Sequence, residues 1–393
     1  MASQAVLVVN CGSSSLKFAL IEPSTGQVRH HGLAERLGAS AEGASLSVDD
    51  GESEALPAGA DHGVALDRIL ERVKREHIAA IGHRVVHGGE RFSESVLLDD
   101  AAIEQIDACT PLAPLHNPAN LLGIRETRAR FPELPQVAVF DTAFHHRMPE
   151  KAFHYAVPYE WYERYALRRY GFHGTSHQFV AEQAAERLGR PLSELMLLTA
   201  HLGNGCSACA ISNGRSVDTT MGLTPLEGVV MGTRSGDVDP NLHEYVQKQS
   251  GLGLSEITQR LNKQSGLLGL SGESNDMRAL LSARARGSAR AALAIDVFCY
   301  RLAKALLGLS AALERIDALV FTGGIGEHAP EVRAMTLLQL RILGATVDEA
   351  RNTNHGRDSA GRITSESSGL LALVIPTNEE LVIAREAARF VAA

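Results

Sequence analysis

The stretch Val6-Leu-Val-Val-Asn-Cys-Gly-Ser-Ser-Ser-Leu-Lys17-Phe-Ala-Leu20 places an apolar run, a glycine-led turn and a second apolar run back to back. Leu197-Leu-Thr-Ala-His-Leu-Gly-Asn-Gly-Cys-Ser-Ala-Cys-Ala-Ile211 repeats the arrangement. Each is read as a hairpin with backbone N–H groups exposed at its tip. Glycine lets the main chain approach an anion, and successive N–H groups form a donor nest that needs no side-chain charge. Two such hairpins predict two related half-molecules. A third segment, Ala318-Leu-Val-Phe-Thr-Gly-Gly-Ile-Gly-Glu-His328, runs from a strand into a glycine turn and opens a helix, whose N-terminus also favours anions. Three phosphate-type loops in one chain point to a nucleotide.

Size agrees with a duplicated plan: 393 residues exceed one ordinary core and suit two domains. With 45% hydrophobic and 21% charged residues the composition is that of a soluble globular protein. The longest apolar stretch, residues 291–313, is interrupted by Asp296, Arg301 and Lys304, and the N-terminus enters a strand without a basic region, so no membrane span is expected. A net charge of -8 and a pI near 6.1, with no basic stripe, argue against nucleic acid. Cys11, Cys109, Cys206, Cys209 and Cys299 read as reduced thiols of a cytoplasmic protein. Cys206 and Cys209, three apart on a strand, point to opposite faces, and no second pair completes a zinc site.

Strands alternate with helices along the chain, which indicates α/β sheets covered by helices. Residues 39–63 are small, acidic and turn-rich, a surface excursion or weak edge hairpin. A helix is expected over 64–75, a strand over 78–86, and a helix N-capped by Asn117 with Pro118 at its first position, ending before Pro132. Gln136 to Phe140 reads as a buried strand. In the second half come a helix over 176–188 stopped by Gly189, and a long helix with Ile295, Phe298, Leu302, Leu306 and Leu309 on one face. Thr377-Asn-Glu-Glu380 has capping-box spacing before a helix over 381–391, which assigns Glu380 to the cap and Glu379 to other work. That last helix is expected to cross back to the first domain.

Several side chains are placed for chemistry. Arg84 and Val86, two apart on a strand, face the same way: a guanidinium for a carboxylate beside a small apolar wall for a methyl or ethyl group. The alternative for Arg84 is an interdomain salt bridge. Asp141 ends a strand at the carboxyl edge of a sheet, where ligands of open α/β folds collect, and reads equally as a helix cap or turn aspartate. His173 and His177 precede or open a helix and read either as site residues or as cap and core histidines. Arg234, in the glycine turn Met-Gly-Thr-Arg-Ser-Gly-Asp237, suits a phosphate. Phosphoryl transfer calls for cations around the moving group, and Lys17, Arg84, His173 and Arg234 supply them. Asn10 and Glu379 are the oxygen ligands assigned to Mg2+, partly through water. Neither a Walker loop nor a Gly-x-Gly-x-x-Gly after the first strand is present, which weakens P-loop and Rossmann assignments.

Taken together, Asn10-Cys-Gly-Ser-Ser-Ser-Leu-Lys17, Gly82-His-Arg-Val-Val-His-Gly-Gly89, Phe140-Asp-Thr-Ala-Phe-His145, His201-Leu-Gly-Asn-Gly205, Met231-Gly-Thr-Arg-Ser-Gly-Asp237, Gly324-Ile-Gly-Glu327 and Pro376-Thr-Asn-Glu-Glu380 run the length of the chain. In these the chain resembles the acetate and propionate kinase family, within the superfamily of actin, hexokinase and the heat-shock chaperone ATPases. The resemblance implies two duplicated ribonuclease H-like, actin-like ATPase domains. These are an acyl-side domain over 1–148, joined by a C-terminal helix over 379–393, and a nucleotide-binding domain over 149–378. It implies reversible, Mg2+-dependent transfer of the ATP γ-phosphoryl group to acetate, giving acetyl phosphate and ADP, by a cytoplasmic homodimer.

By the same resemblance Asn10 and Glu379 bind Mg2+, Lys17 contacts nucleotide phosphate, and Arg84 holds the acetate carboxylate. Asp141 is the catalytic carboxylate, and His173 and Arg234 steady the transition state. His201, Leu202, Gly203, Asn204 and Gly205 line the nucleotide, as do Asp276, Met277 and Arg278 and the run Gly324, Ile325, Gly326, Glu327 and His328. Val86, Leu115, Phe172 and Pro225 form the methyl pocket. Acetate is already ionised at neutral pH, so Asp141 has no proton to remove and is expected to orient Arg84 or manage charge. The chain departs from the usual pattern at His328, where the family more often has asparagine, and at Cys206, where a smaller residue is common. Those positions leave adenine preference open. The alternatives are a propionate kinase, against which Val86 weighs, and a nucleotide switch or filament without acyl chemistry.

Overall fold

Both glycine turns close hairpins. β1 (Ala5–Gly12) and β2 (Ser15–Ile21) run antiparallel with Asn10 opposite Lys17. β9 (Met196–Leu202) and β10 (Cys206–Ser212) do the same with Leu202 opposite Cys206. The computed structural model describes residues 5–38, 43–73 and 77–391. The chain divides into two units, residues 1–146 with 378–393 and residues 147–377.

The first unit adds β3 (Val28–Glu35), β4 (Ser45–Val48), β5 (Glu54–Ala55), β6 (Ile78–Val85), β7 (Val96–Leu97) and β8 (Gln136–Phe140), in the order β5-β4-β3-β2-β1-β6-β8-β7. The second adds β11 (Arg215–Thr219), β12 (Ala318–Thr322) and β13 (Ala372–Val374), in the order β11-β10-β9-β12-β13. Going out from each hairpin, the pairings match. β3-β2-β1-β6-β8 and β11-β10-β9-β12-β13 are both antiparallel, antiparallel, parallel, parallel. The duplication expected from two glycine turns is thus a duplicated five-strand sheet, with an edge hairpin of β4 and β5 in the small acidic segment.

The central strands are buried on both faces, as parallel strands under helices must be. β8 and β12 are buried throughout. On the helix Ala289–Ser310 the residues Ile295, Phe298, Leu302, Leu306 and Leu309 are all buried, the face its periodicity predicts. Each such side chain contributes roughly 1.5–3 kcal/mol. The C-terminal helix Glu379–Arg389 packs on β1, β6 and β8 of the first unit. Gly82 permits this, since a Cβ there would lie 2.6 Å from Ile383 Cγ2.

Four local expectations are revised. Asn117 is the first helical residue of Asn117–Arg130 and not its cap, because its amide is spent on the turn after β6. The C-terminal helix is capped by Asn378, whose Oδ1 accepts the Leu381 N–H at 2.9 Å, so the Thr377 capping box does not form. β6 ends at Val85, which puts Val86 in the following turn and outside the strand alternation that paired it with Arg84. The helix expected over 64–75 is His62–Val73, and residues 74 and 75 lie outside the described residues.

Candidate active site

In the first unit the site is built at the carboxyl ends of β6 and β8. These strands are parallel neighbours with Arg84 opposite Val139, and the ladder continues one step further as Asp141 N–H donates to Val85 O at 3.0 Å. That step brings the Asp141 carboxylate alongside the Arg84 side chain. Arg84 Nε donates to Oδ1 at 2.9 Å and Nη2 to Oδ2 at 2.7 Å, a two-pronged pair. Asp141 is 1% exposed. Burial raises its pKa from the ordinary carboxylate value, Glu379 adds to the rise, and the charge and hydrogen bonds of Arg84 oppose it. For Arg84, burial works against the charge but is outweighed by Asp141, Glu379 and Glu380, so the guanidinium is held above the usual arginine value. Arg84 is therefore a fixed cation.

The turn after β6 is held by three side chains, two from the helix Asn117–Arg130 and one from the turn after β8. Asn120 Oδ1 accepts Val86 N–H at 3.1 Å while its Nδ2 donates to Cys11 O at 2.8 Å, tying this turn to the first hairpin. Asn117 accepts His87 N–H and donates back to His87 O, at 3.2 and 3.0 Å. Thr142 Oγ1 accepts Gly88 N–H at 3.1 Å. At the hairpin, Asn10 stands across from Lys17, and Lys17 makes an ion pair with Glu380 in the first turn of the C-terminal helix. Glu380 thus pairs with Lys17, where the sequence had assigned it to a cap. Glu379, its neighbour, is near enough to act electrostatically on both Arg84 and Asp141.

In the second unit a histidine cluster lies beside the other hairpin. His173 adopts a left-handed backbone (φ 57°) at the start of the helix Gly174–Leu188 and stacks on His201 with ring centroids 4.2 Å apart. Ser207 Oγ bridges His173 Nδ1 at 2.9 Å and His177 Nε2 at 2.8 Å, and His177 Nδ1 meets Thr199 Oγ1 at 2.7 Å. His177 is fully buried, the core reading of the two that its motif allowed. A Cβ on Gly205 would lie 3.3 Å from His173 Nε2 and 3.6 Å from Arg234 Nη1, so both expected transition-state groups adjoin the hairpin tip. Arg234 Nη1 donates to Pro225 O at 3.1 Å. Asn204 at the tip accepts from Asn275 Nδ2, and its carbonyl accepts Gly232 N–H.

The third loop differs from expectation. β12 does run into a short helix, Gly323–His328, through Gly323 in a positive-φ conformation (+74°) hard against the Leu202 backbone. Yet Glu327 Oε1 accepts Gly323 N–H at 3.0 Å and Thr377 N–H at 3.1 Å, so the first donor of the turn is already satisfied by a protein carboxylate. Behind it lies a residue that the sequence reading missed. Arg333, fully buried, donates to Gly326 O at 2.8 Å, Glu327 O at 3.0 Å, Asn352 Oδ1 at 2.9 Å and Asn352 O at 2.7 Å, and also meets His355 Nδ1 at 3.1 Å. Burial pulls its pKa down to about 10, only partly offset by Glu331.

The family model described as Acetokinase family matches residues 5–385. The chain belongs to the acetokinase family. It is 56% identical over 386 residues to an acetate kinase of Deinococcus radiodurans, covering 97% of each chain. To an acetate kinase of Ectopseudomonas mendocina it is 54% identical over 387 residues, covering 98% of each. Among solved structures it superposes on a propionate kinase from Francisella tularensis with a TM-score of 0.93 at 46% identity. On the acetate kinase of Porphyromonas gingivalis the TM-score is 0.91 at 40% identity. In both comparisons 98% of this chain and 99% of the other are covered.

The first unit holds Asn10, Lys17, Arg84, Asp141 and Glu379, and the second holds His173, His201, Leu202, Gly203, Asn204, Gly205, Pro225 and Arg234. Phe172 is buried next to His173, whereas Leu115 of the first unit is 55% exposed. Asp276 caps the helix Met277–Ala285 and pairs with Arg278 at the surface, while Met277 is buried in the core. His328 is exposed, with its ring edge-on to His355 at 6.2 Å. Cys206 is buried, its thiol pushed up to about 12 by desolvation, and burial raises the Cys209 thiol as well. Glu380, Arg333 and the two asparagines went unrecognised because each acts by tertiary contact, without a local motif.

Proposed function

We propose that this chain is an acetate kinase, which transfers the γ-phosphoryl group of ATP reversibly to acetate. The observation that carries the reading is the buried Arg84–Asp141 pair at the carboxyl ends of two parallel strands, in a chain of this family. An acetate oxygen attacks the γ-phosphorus in line, the bond from that phosphorus to the ADP oxygen breaks, and acetyl phosphate and ADP result. Acetate brings no proton, so the step asks for positioning and charge stabilisation rather than a base.

Arg84 binds the acetate carboxylate, and Asp141 holds the guanidinium in plane and balances its charge. His173 and Arg234 stabilise charge on the equatorial oxygens of the transferring group. The first unit serves the acyl substrate. The second serves the nucleotide, through residues 201–205, 276–278 and 324–328, with Lys17 of the first unit on a phosphate. Val86, Leu115, Phe172 and Pro225 size the acyl group.

Asn10 and Glu379 offer oxygen donors of the kind Mg2+ takes, one neutral and one anionic, and Mg2+ needs few protein ligands because it keeps waters. Among the described residues no three His, Cys, Asp or Glu side chains assemble a metal cage, which suits an ion carried largely by the nucleotide. Bound there, Mg2+ would neutralise phosphate charge. The enzyme acts in the cytoplasm as a homodimer, as its family resemblance implies; no helix among the described residues is long and apolar enough to cross a membrane.

A second reading, propionate kinase, is favoured by the likeness to the Francisella tularensis enzyme. Hydroxylamine trapping with ATP, Mg2+ and acetate, propionate or butyrate in parallel tests both. A hydroxamate signal greatest with acetate supports the first reading, one greatest with propionate the second, and none with any acid removes both.

A further inference from the structure

The loop that carries Arg234 is also one wall of a second cavity, of 680 Å3, in the same unit. Val230, Leu261, Leu270 and Val297 give it an apolar lining, and Arg301 and Lys304 add two cations one turn apart on the helix Ala289–Ser310. Both cations are exposed, and neither makes an ion pair or side-chain hydrogen bond among the described residues. The one carboxylate on the lining, Asp237, whose Oδ1 accepts Gly228 N–H at 2.7 Å, is outnumbered by the two cations. An apolar lining with an excess of positive charge matches a ligand that has a hydrocarbon body and an anionic head.

The walls are bonded directly to the Arg234 loop. Ser265 N–H donates to Thr233 O at 2.9 Å, Leu267 N–H to Met231 O at 2.9 Å, and Leu268 N–H to Gly232 O at 3.0 Å. In the other direction Ser235 N–H donates to Leu261 O, and Thr233 Oγ1 to Asn262 O, both at 3.0 Å. The contact is close enough that a Cβ on Gly266 would lie 2.2 Å from Met231 O and 2.6 Å from Arg234 O. A ligand that displaces Leu261 or the 264–266 segment must therefore move the backbone on either side of Arg234.

We propose that this cavity is an effector site for a small organic anion with an apolar body, of the class of medium-chain carboxylates, and that its occupancy is transmitted to Arg234. The coupling rests on the kinase reading; the binding does not. The probe is 8-anilinonaphthalene-1-sulfonate, titrated into the full-length protein with ATP present at saturation to keep it from the nucleotide loops. One site per chain is expected, displaced by octanoate and not by octylamine or octanol. In the double variant Arg301→Gln, Lys304→Gln, affinity should fall at least tenfold while the melting temperature stays put, since both side chains are exposed. Unchanged affinity in the variant, or displacement by octanol as effective as by octanoate, overturns the site. For the coupling, saturating octanoate should change the KM for ATP or kcat at least twofold in the parent and not in the double variant; an equal response, or none in either, overturns the transmission. A protein that binds the probe as described but yields no hydroxamate would retain the site and lose the kinase reading instead.

Discussion

Arg84 and Asp141 already satisfy one another: two of the guanidinium N–H groups end on the two oxygens of a carboxylate that is 1% exposed. The cation assigned to the acyl substrate is thus held from one side by the protein, and substrate has to use the remaining donors. Asp141→Asn keeps the shape but replaces one accepting oxygen by an NH2 that opposes a guanidinium donor. One charge-assisted bond of about 1.5–3 kcal/mol is lost. The kcat/KM for acetate is expected to fall about 10- to 100-fold with ATP binding unchanged. Near-normal turnover in this variant would remove Asp141 from the mechanism.

Lys17 is half-exposed and paired with Glu380. An exposed ion pair is worth at most about 1 kcal/mol, so Lys17→Ala should leave the melting temperature almost unaltered. If Lys17 serves the nucleotide, the KM for ATP rises about tenfold in the same variant. Glu380→Gln, which removes the competing carboxylate, should leave that KM the same or lower it. A loss of stability without a change in KM would make the pair structural.

The two hairpins at the heart of the sheets were legible because each follows from local pattern, whereas the order of the strands around them comes only from the structure. A β-branched run, a glycine turn and a second run make a hairpin wherever they occur, and the chain has two. As candidates, Arg84 and Asp141 stood out by lying at strand ends, and His173 and Arg234 by lying in glycine-marked turns. What the sequence did not disclose are partners brought together by topology. Nothing local distinguishes Asn117 as a clamp on His87 from Asn117 as a helix cap, because asparagine serves both uses and Pro118 fits either. Glu327 likewise reads as one more residue of a phosphate loop until its carboxylate is found on Gly323 N–H. Arg333 carries no signal in the sequence, and its role shows only in four hydrogen bonds to main-chain and asparagine oxygens.

That arrangement makes a strong prediction. Arg333→Met would leave the carbonyls of Gly326 and Glu327 and the side chain of Asn352 buried and unpaired, at roughly 1–3 kcal/mol each. The expected result is a loss of several kcal/mol in urea unfolding. Arg333→Lys, with three donors in place of five, should recover only part of it. In any folded fraction the KM for ATP should rise more than that for acetate, because the displaced loop is 324–328. Equal changes in both constants would reduce Arg333 to a general stabiliser.

Val86 is nearly buried at the turn held by Asn120. If it borders the acyl group, Val86→Ala removes two methyl groups and makes room for the one extra methylene of propionate, worth about 1–3 kcal/mol in an apolar pocket. The ratio of kcat/KM for propionate to that for acetate should rise roughly tenfold. A ratio that does not move would place the size filter elsewhere.

His83 sits on β6 beside Arg84 but faces the core, with Nε2 2.9 Å from Gln136 Oε1 and 3.3 Å from Thr127 Oγ1. Burial is the main influence on it and lowers its pKa from 6.5 to about 4, with the Gln136 hydrogen bond opposing. Because the folded pKa is the lower one, the unfolded chain binds the proton first. Between pH 6.5 and 4 unfolding takes up a proton that folding must release, so stability falls as pH falls, and the cost is complete below about pH 4. At about 1.4 kcal/mol per pH unit the window is worth roughly 3 kcal/mol. In His83→Gln the same position carries no titrating group. Urea midpoints measured from pH 7 to pH 4 should therefore show the parent losing roughly 3 kcal/mol more than the variant, all of it below pH 6.5. Parallel curves would mean that His83 takes up its proton at the same pH in the folded and the unfolded chain, and so is solvated or paired in the fold.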